Sequence, residues 1–241
     1  MTPLEKLKSI LAEQYISEDG DEYKVELKAG LTEQQIDDLA KRLPTGQVPS
    51  DIRALLQFAS GFEFGGIDEV TFDGVEQFGL EEFFPNSIQL AGDGFGNFWI
   101  LDVNQNGHWG SVFYVCHDPS VIVKHSENLT QFIEHLDDFG KNGKKSNLDI
   151  IHEKAVMDIW GKKNGFIELE NAKQSSDTTL KNFALSLPDN FVIADLRTQP
   201  NQSGFVLNQF GSDKVKRHDT ELIWGIEKPV KKGFLSRLFG R

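Results

Sequence analysis

The chain holds one cysteine, Cys116, so an intramolecular disulfide framework is excluded and a reducing compartment fits. No stretch approaches the ~18 consecutive apolar residues of a membrane span. Residues 1–15 read as an amphipathic helix and lack the apolar centre of a signal peptide, so cytoplasmic residence is expected. There is no G-x-S-x-G elbow and no phosphate-binding P-loop. The most telling shortage is of positive charge. From Ala54 to Val123, seventy residues pass without a Lys or Arg, and ten Asp and Glu lie among them.

That stretch is rich in Gly and aromatic residues, which separates it from a disordered acidic tail. It reads as a folded surface of one sign, suited to a cationic partner and unsuited to nucleic acid or anionic lipid. The net charge of −12 is unevenly spread. Residues 1–140 carry 25 acidic and 8 basic residues, a net of −17, and residues 141–241 carry 12 and 17, a net of +5. A sign change of that size points to a modular chain. The expected division is 1–140, then an α/β module over 141–230, then a basic tail over 231–241. The polar, glycine-containing segment 140–146 is the candidate linker. The basic half is open to folding back on the acidic half. The tail reads first as a frayed end; its rivals are a segment docked on the chain's own acidic part and a peptide shown to a partner or membrane surface.

Local signals set the elements. Thr2-Pro3-Leu4-Glu5 and Thr32 with Gln35 are capping boxes, each ahead of an apolar helical stripe. A third helix is expected over 50–60, stopped by Gly61 in the left-handed region. Tyr23, Val25 and Leu27 alternate with charged residues as in a half-buried strand. The strongest strands are 97–103 and 111–116, joined by an Asn- and Gly-rich hairpin loop. In the first, Phe98 and Ile100 point one way, Trp99 and Leu101 the other, which predicts a central strand covered on both faces. Ser126 is expected to cap a helix bearing Leu129, Phe132, Ile133 and Leu136. Beyond 146, helices are expected near 147–160 and 177–187, and strands near 166–169, 191–196, 204–208 and 222–227, either as a second small α/β module or as an extension of the first sheet.

Motifs that promise chemistry fail on spacing. Gly92-Asp93-Gly94-Phe95-Gly96 lacks the G-x-G-x-x-G order and precedes a strand, so it reads as a tight turn. Asp102, Asn104, Asn106 and Gly107 match half of a calcium loop, but its twelfth position is Phe113. Cys116 and His117 are strand neighbours that point to opposite faces and cannot form a dyad. The six histidines show no zinc spacing. No catalytic residue, metal or cofactor is expected.

The ordered set of signals resembles one family. Its marks are the capped helix 32–43, Leu43-Pro44, the helix 52–61 ending in Ser60-Gly61, and Phe84 to Ile88 leading into the turn 92–97. They continue in Phe98–Asp102, the strand 110–114 with His117-Asp118, and a closing helix whose Ser-x-x-apolar-x-x-Phe pattern spans 126–132. Together these resemble the Smi/Knr-type cell-wall-assembly regulators and their bacterial relatives in the SUKH superfamily, over residues 31–136. The resemblance implies an α+β domain with a mixed, curved β-sheet and surrounding helices, followed here by a smaller C-terminal α/β extension. It also implies a non-enzymatic protein-binding role, for most bacterial relatives that of an immunity protein bound to a polymorphic toxin, often a nuclease. A nuclease cleft is basic because it holds phosphates, so an acidic face steers onto it. The expected contact residues are Glu63, Asp68, Glu69, Asp73, Glu76, Glu81, Glu82 and Asp93, with Phe62, Phe64, Phe83 and Phe95 as aromatic anchors. The rival reading is a regulatory or scaffold module that binds a cellular protein.

Overall fold

In the computed structural model, both capping boxes form as their sequences dictate. It describes residues 1–17, 19–67, 69–75, 79–162, 165–207 and 214–228; the basic tail 231–241, and the end of the strand expected over 204–208, lie outside them. Thr2 accepts from the amide of Glu5 and opens α1 (Pro3–Ile10). The short strands β1 (Tyr15–Ile16), β2 (Glu22–Tyr23) and β3 (Glu26–Leu27) follow. The alternation through Tyr23, Val25 and Leu27 is therefore split between two strands, and Leu27 is exposed. Thr32 and Gln35 open α2 (Glu33–Ala40), and α3 (Ser50–Phe58) comes next.

The helix α3 does not end on a left-handed Gly61. Ala59 is already extended, and Gly61 lies in β4 (Gly61–Glu63), paired with β5 (Val70–Thr71). A Cβ on Gly61 would sit 2.1 Å from the carbonyl oxygen of Val70, so close strand approach, not turn geometry, requires this glycine.

Four consecutive strands build the central sheet: β6 (Ser87–Gly92), β7 (Phe98–Val103), β8 (Trp109–His117) and β9 (Ser120–Ser126). Ser126 therefore ends a strand. Asn128 caps the following helix α4 (Leu129–Asn142) through the amide of Gln131. The chain then runs through a 3-10 turn (Gly143–Lys145), a second one (Asp149–Ile151), a π-helical turn (His152–Val156) and α5 (Met157–Lys162). Within the polar segment 140–146, Ser146 is fully buried and its hydroxyl accepts from the amide of Asp149.

The remaining elements are β10 (Ile167–Glu168), α6 (Leu169–Lys173), α7 (Thr178–Leu185), β11 (Phe191–Asp195), β12 (Gly204–Val206), β13 (Val215–Arg217) and β14 (Ile223–Glu227). Strand β12 pairs with β9 and completes a five-stranded sheet in the order β12-β9-β8-β7-β6. The others form a second sheet, β10-β11-β14-β13, and every recorded strand pairing is antiparallel. The fold is α+β.

Alternation along the strands sorts side chains into layers. Trp99, Leu101, Tyr114, Cys116, Val121 and Val123 face the core built with α1, α3 and α4. Ile100, Phe113, Val115 and Ile122 face the other way, onto Val192, Ala194, Phe205, Trp224 and Ile226. The outer side of the second sheet carries Phe191, Ile193 and Ile223, covered by Leu169, Ala172, Leu180 and Ala184 of α6 and α7. The expectation that 97–103 is covered on both faces is met, and the second cover comes from residues beyond 190.

Polar contacts tie the two sheets together. Arg217 donates to Asp102 at 2.9 Å with both side chains almost fully buried, and its guanidinium stacks 4.4 Å over Trp224. The indole N–H of Trp224 donates to the carbonyl of Phe83 at 2.8 Å. Asp102 is thus spent on an arginine, and Asn104 uses its side chain to close its own loop and to donate to the carbonyl of Thr220. That is why half a calcium-loop pattern appears in a polar hairpin.

Candidate partner-binding site

The turn between β6 and β7 is organised by Asp93. Gly94 and Gly96 take positive φ there, and the aspartate closes the turn by accepting from the amides of Phe95 (2.9 Å) and Asn97 (3.1 Å). Its second oxygen accepts from the side-chain amide of Asn97 at 2.7 Å and the hydroxyl of Tyr114 at 2.8 Å. Partial burial opposes ionisation of Asp93 more than any other single influence. The bonds from Asn97, Phe95 and Tyr114 together outweigh it and hold the carboxyl below its ordinary value. Burial, together with the bond to Asp93, pushes the Tyr114 phenol up, so it remains a protonated donor.

Asn97 passes the order on. Because its amide nitrogen is spent on Asp93, its oxygen faces His117 and accepts from both the backbone N–H (3.0 Å) and Nδ1 (2.8 Å). An acceptor at that place assigns the proton of neutral His117 to Nδ1 and leaves Nε2 as an acceptor. His117 and Cys116 point apart, and Cys116 is a buried core thiol whose pKa is raised by burial.

These residues line a cleft of about 470 Å3 at one end of the central sheet. One wall is the β6–β7 turn with His117 and Asp118, which begins the link from β8 to β9. The other is helical, from Phe139 at the end of α4 and the segment 148–153. Four carboxylates line it, Asp93, Asp118, Asp149 and Glu153, and no Lys or Arg does among the described residues. Phe95 stands 80% exposed at the cleft, while Tyr114 and Trp99 form part of its lining.

The expected contact residues fall in more than one place. Asp93 belongs to this cleft, as a structural hub. Glu63 and Glu69 line an adjoining shallow cleft with Tyr23, Lys24 and Glu26, and Ile67 belongs to both clefts. Glu69 is paired with Lys28, and Glu63 stands opposite Glu26 in the strand register. Asp73 is half-buried in the turn after β5, where its carbonyl accepts from Val75. Glu81, which accepts from the amide of Gly79, and Glu82 lie between Leu80 and Phe83, which pack on the core between the two sheets. Asp68 and Glu76 lie outside the described residues. Among the aromatic anchors, Phe62 and Phe64 are instead core residues, packed with Phe72, Tyr15 and Tyr23. Phe83 is half-buried against Phe205. Phe95 alone of the four projects into solvent.

Residues 30–135 match the SMI1 / KNR4 family (SUKH-1). No curated protein and no solved structure matches the chain. The matched residues run from α2 to the middle of α4, and so include Asp93, Asn97, Tyr114, His117 and Asp118. Phe139 and the wall 148–153 come from outside them. A SUKH-1 domain fits a protein-binding role of the immunity or regulatory kind. Among the described residues, no helix is long and apolar enough to cross a membrane.

Asp118, Asp149 and Glu153 line the cleft but are not among the expected contact residues. Asp118 lies 31 and 35 residues from the other two, so no local spacing signals that they share a cleft. The nearest available cue was the His117-Asp118 pair at the end of a strong strand.

Proposed function

We propose that the protein is a non-enzymatic immunity protein that acts inside the cell, neutralising a cationic, nuclease-type toxin by direct contact. The observation that carries this reading is the cleft at Asp93: its lining has four carboxylates, no lysine or arginine among the described residues, and an exposed phenylalanine beside it. Such a surface offers a cationic loop both charge and an aromatic contact, and steers its approach. The polar atoms at the turn are spent on one another, which makes it a rigid frame rather than a reactive centre. A rigid acidic surface is what an inhibitor of a phosphate-binding cleft requires.

The test is affinity capture with the full chain from its native cells, identification of the bound protein, and co-expression of the two. The reading expects a basic toxin whose lethality the chain suppresses. Capture of a non-toxic structural or signalling protein would replace it with the regulatory reading.

A further inference from the structure

The cleft divides its carboxylates by role. Asp93 accepts four hydrogen bonds from Phe95, Asn97 and Tyr114, so its oxygens are occupied from inside the fold. Asp118 and Glu153 are exposed, line the same cleft, and form no recorded ion pair or side-chain hydrogen bond with the described residues. One comes from the strand wall and one from the helical wall. The same walls present the Nε2 acceptor of His117 and the aromatic residues Tyr114 and Phe139. The lining also includes Trp99, 2% exposed, whose indole N–H has no acceptor among the described residues.

We infer that this cleft, read as the partner-binding site proposed above, receives an arginine side chain from a loop of the partner protein, held between Asp118 and Glu153. A guanidinium matches what the cleft presents: its planar fork donates to carboxylates and its face stacks on aromatic rings. The volume falls in the range of roughly 300–1,000 Å3 typical of ligand pockets, enough for one side chain with its flanking backbone. Asp93, Asn97 and Tyr114 are positioning residues that fix the wall bearing His117.

The helical wall adds a consequence. Glu153 lies outside the SMI1/KNR4 domain, so the C-terminal part of the chain supplies half of the arginine clamp and thereby sets partner choice.

The test is an NMR titration of the full isotope-labelled chain with N-acetyl-arginine N-methylamide, against the citrulline and lysine counterparts. The arginine probe is expected to give saturable shifts at the amides of Phe95, Asp118 and Glu153 and at the Trp99 indole. Binding should weaken about tenfold in Asp118→Asn/Glu153→Gln, equivalent to about 1.4 kcal/mol. The spectrum of the variant itself reports whether the fold is kept. Equal shifts with citrulline, unchanged binding by the variant, or shifts confined to other surfaces would overturn the assignment. Equal binding of lysine would overturn the choice of arginine. Arginine binding by a chain whose captured partner is no toxin leaves the site standing and removes the immunity role. Full toxin neutralisation by Asp118→Asn/Glu153→Gln does the reverse.

Discussion

Replacing Arg217 with Met removes the arginine paired with a carboxylate that is almost completely buried. Arg217 donates to Asp102 at 2.9 Å, with their side chains 7% and 5% exposed. Burial already pushes the Asp102 carboxyl up, and Arg217 opposes that shift. The intact ion pair is therefore a poor source of net stability, because desolvation of both groups offsets their attraction. Breaking it is another matter. An uncompensated buried charge costs about 3–5 kcal/mol, and the cation–π contact over Trp224 is lost as well. In a chain of this size each kcal/mol moves the melting temperature by about 2–4 °C, so a loss of about 6–20 °C is expected.

The pH dependence separates this cause from simple loss of packing. A carboxyl whose folded pKa is raised is penalised at pH values above that pKa, and the penalty fades as pH falls through it towards the unfolded value. The deficit of Arg217→Met, measured by urea unfolding against wild type, should therefore be largest at neutral pH and shrink on acidification. Asp102→Leu/Arg217→Met removes both charges and should recover most of the loss. A deficit below about 1 kcal/mol, or one equal at pH 7 and pH 4.5, would refute the reasoning.

Other expectations follow from single contacts. His125 is fully buried beside Trp99, Phe132 and His135, and its pKa is pushed down to about 3 by burial and by His135. The unfolded chain then binds the proton more readily, so stability falls as pH drops below about 6.5, by about 1.5 kcal/mol on reaching pH 5. His125→Phe should flatten that slope in chemical denaturation. Asp93→Asn turns an acceptor towards donors and should cost about 1–3 kcal/mol, whereas Asp118→Asn at an exposed site should stay within about 0.5 kcal/mol; equal costs would dissolve the distinction between hub and contact. A Cβ at Gly204 would lie 1.9 Å from the carbonyl oxygen of Ile122, so Gly204→Ala should push β12 off β9 and lower the unfolding midpoint by about 1–3 kcal/mol of stability.

Elements written in local chemistry were readable from the sequence. The capping boxes at Thr2 and Thr32, the helix near 177–187 and the two-faced strand through Trp99 all depend on residues within a few positions of each other. Strand β9 was missed because Lys124 and His125 interrupt its apolar run. Their burial is set by tertiary partners: Lys124 reaches Glu127 and the carbonyl of Gln199, and His125 meets His135. Gly61 was misread for a similar reason, since the atom that requires a glycine there belongs to Val70, on the neighbouring strand. The acidic character of the site was legible, but its membership was not. Glu63, Glu81 and Asp93 look equivalent along the chain. The fold places them at separate positions, sets Asp118 from the far end of the same acidic stretch beside Asp93, and supplies Asp149 and Glu153 from the net-positive part of the chain.

The most direct test of the central claim is the association rate of the captured partner with the full chain as ionic strength rises, by stopped-flow fluorescence. Steering by the carboxylate-lined cleft predicts a steep fall as the Debye length shortens below ~10 Å, and a much flatter dependence for Asp118→Asn/Glu153→Gln. A rate that ignores salt, or one the double variant leaves equally salt-sensitive, would contradict recognition through this cleft.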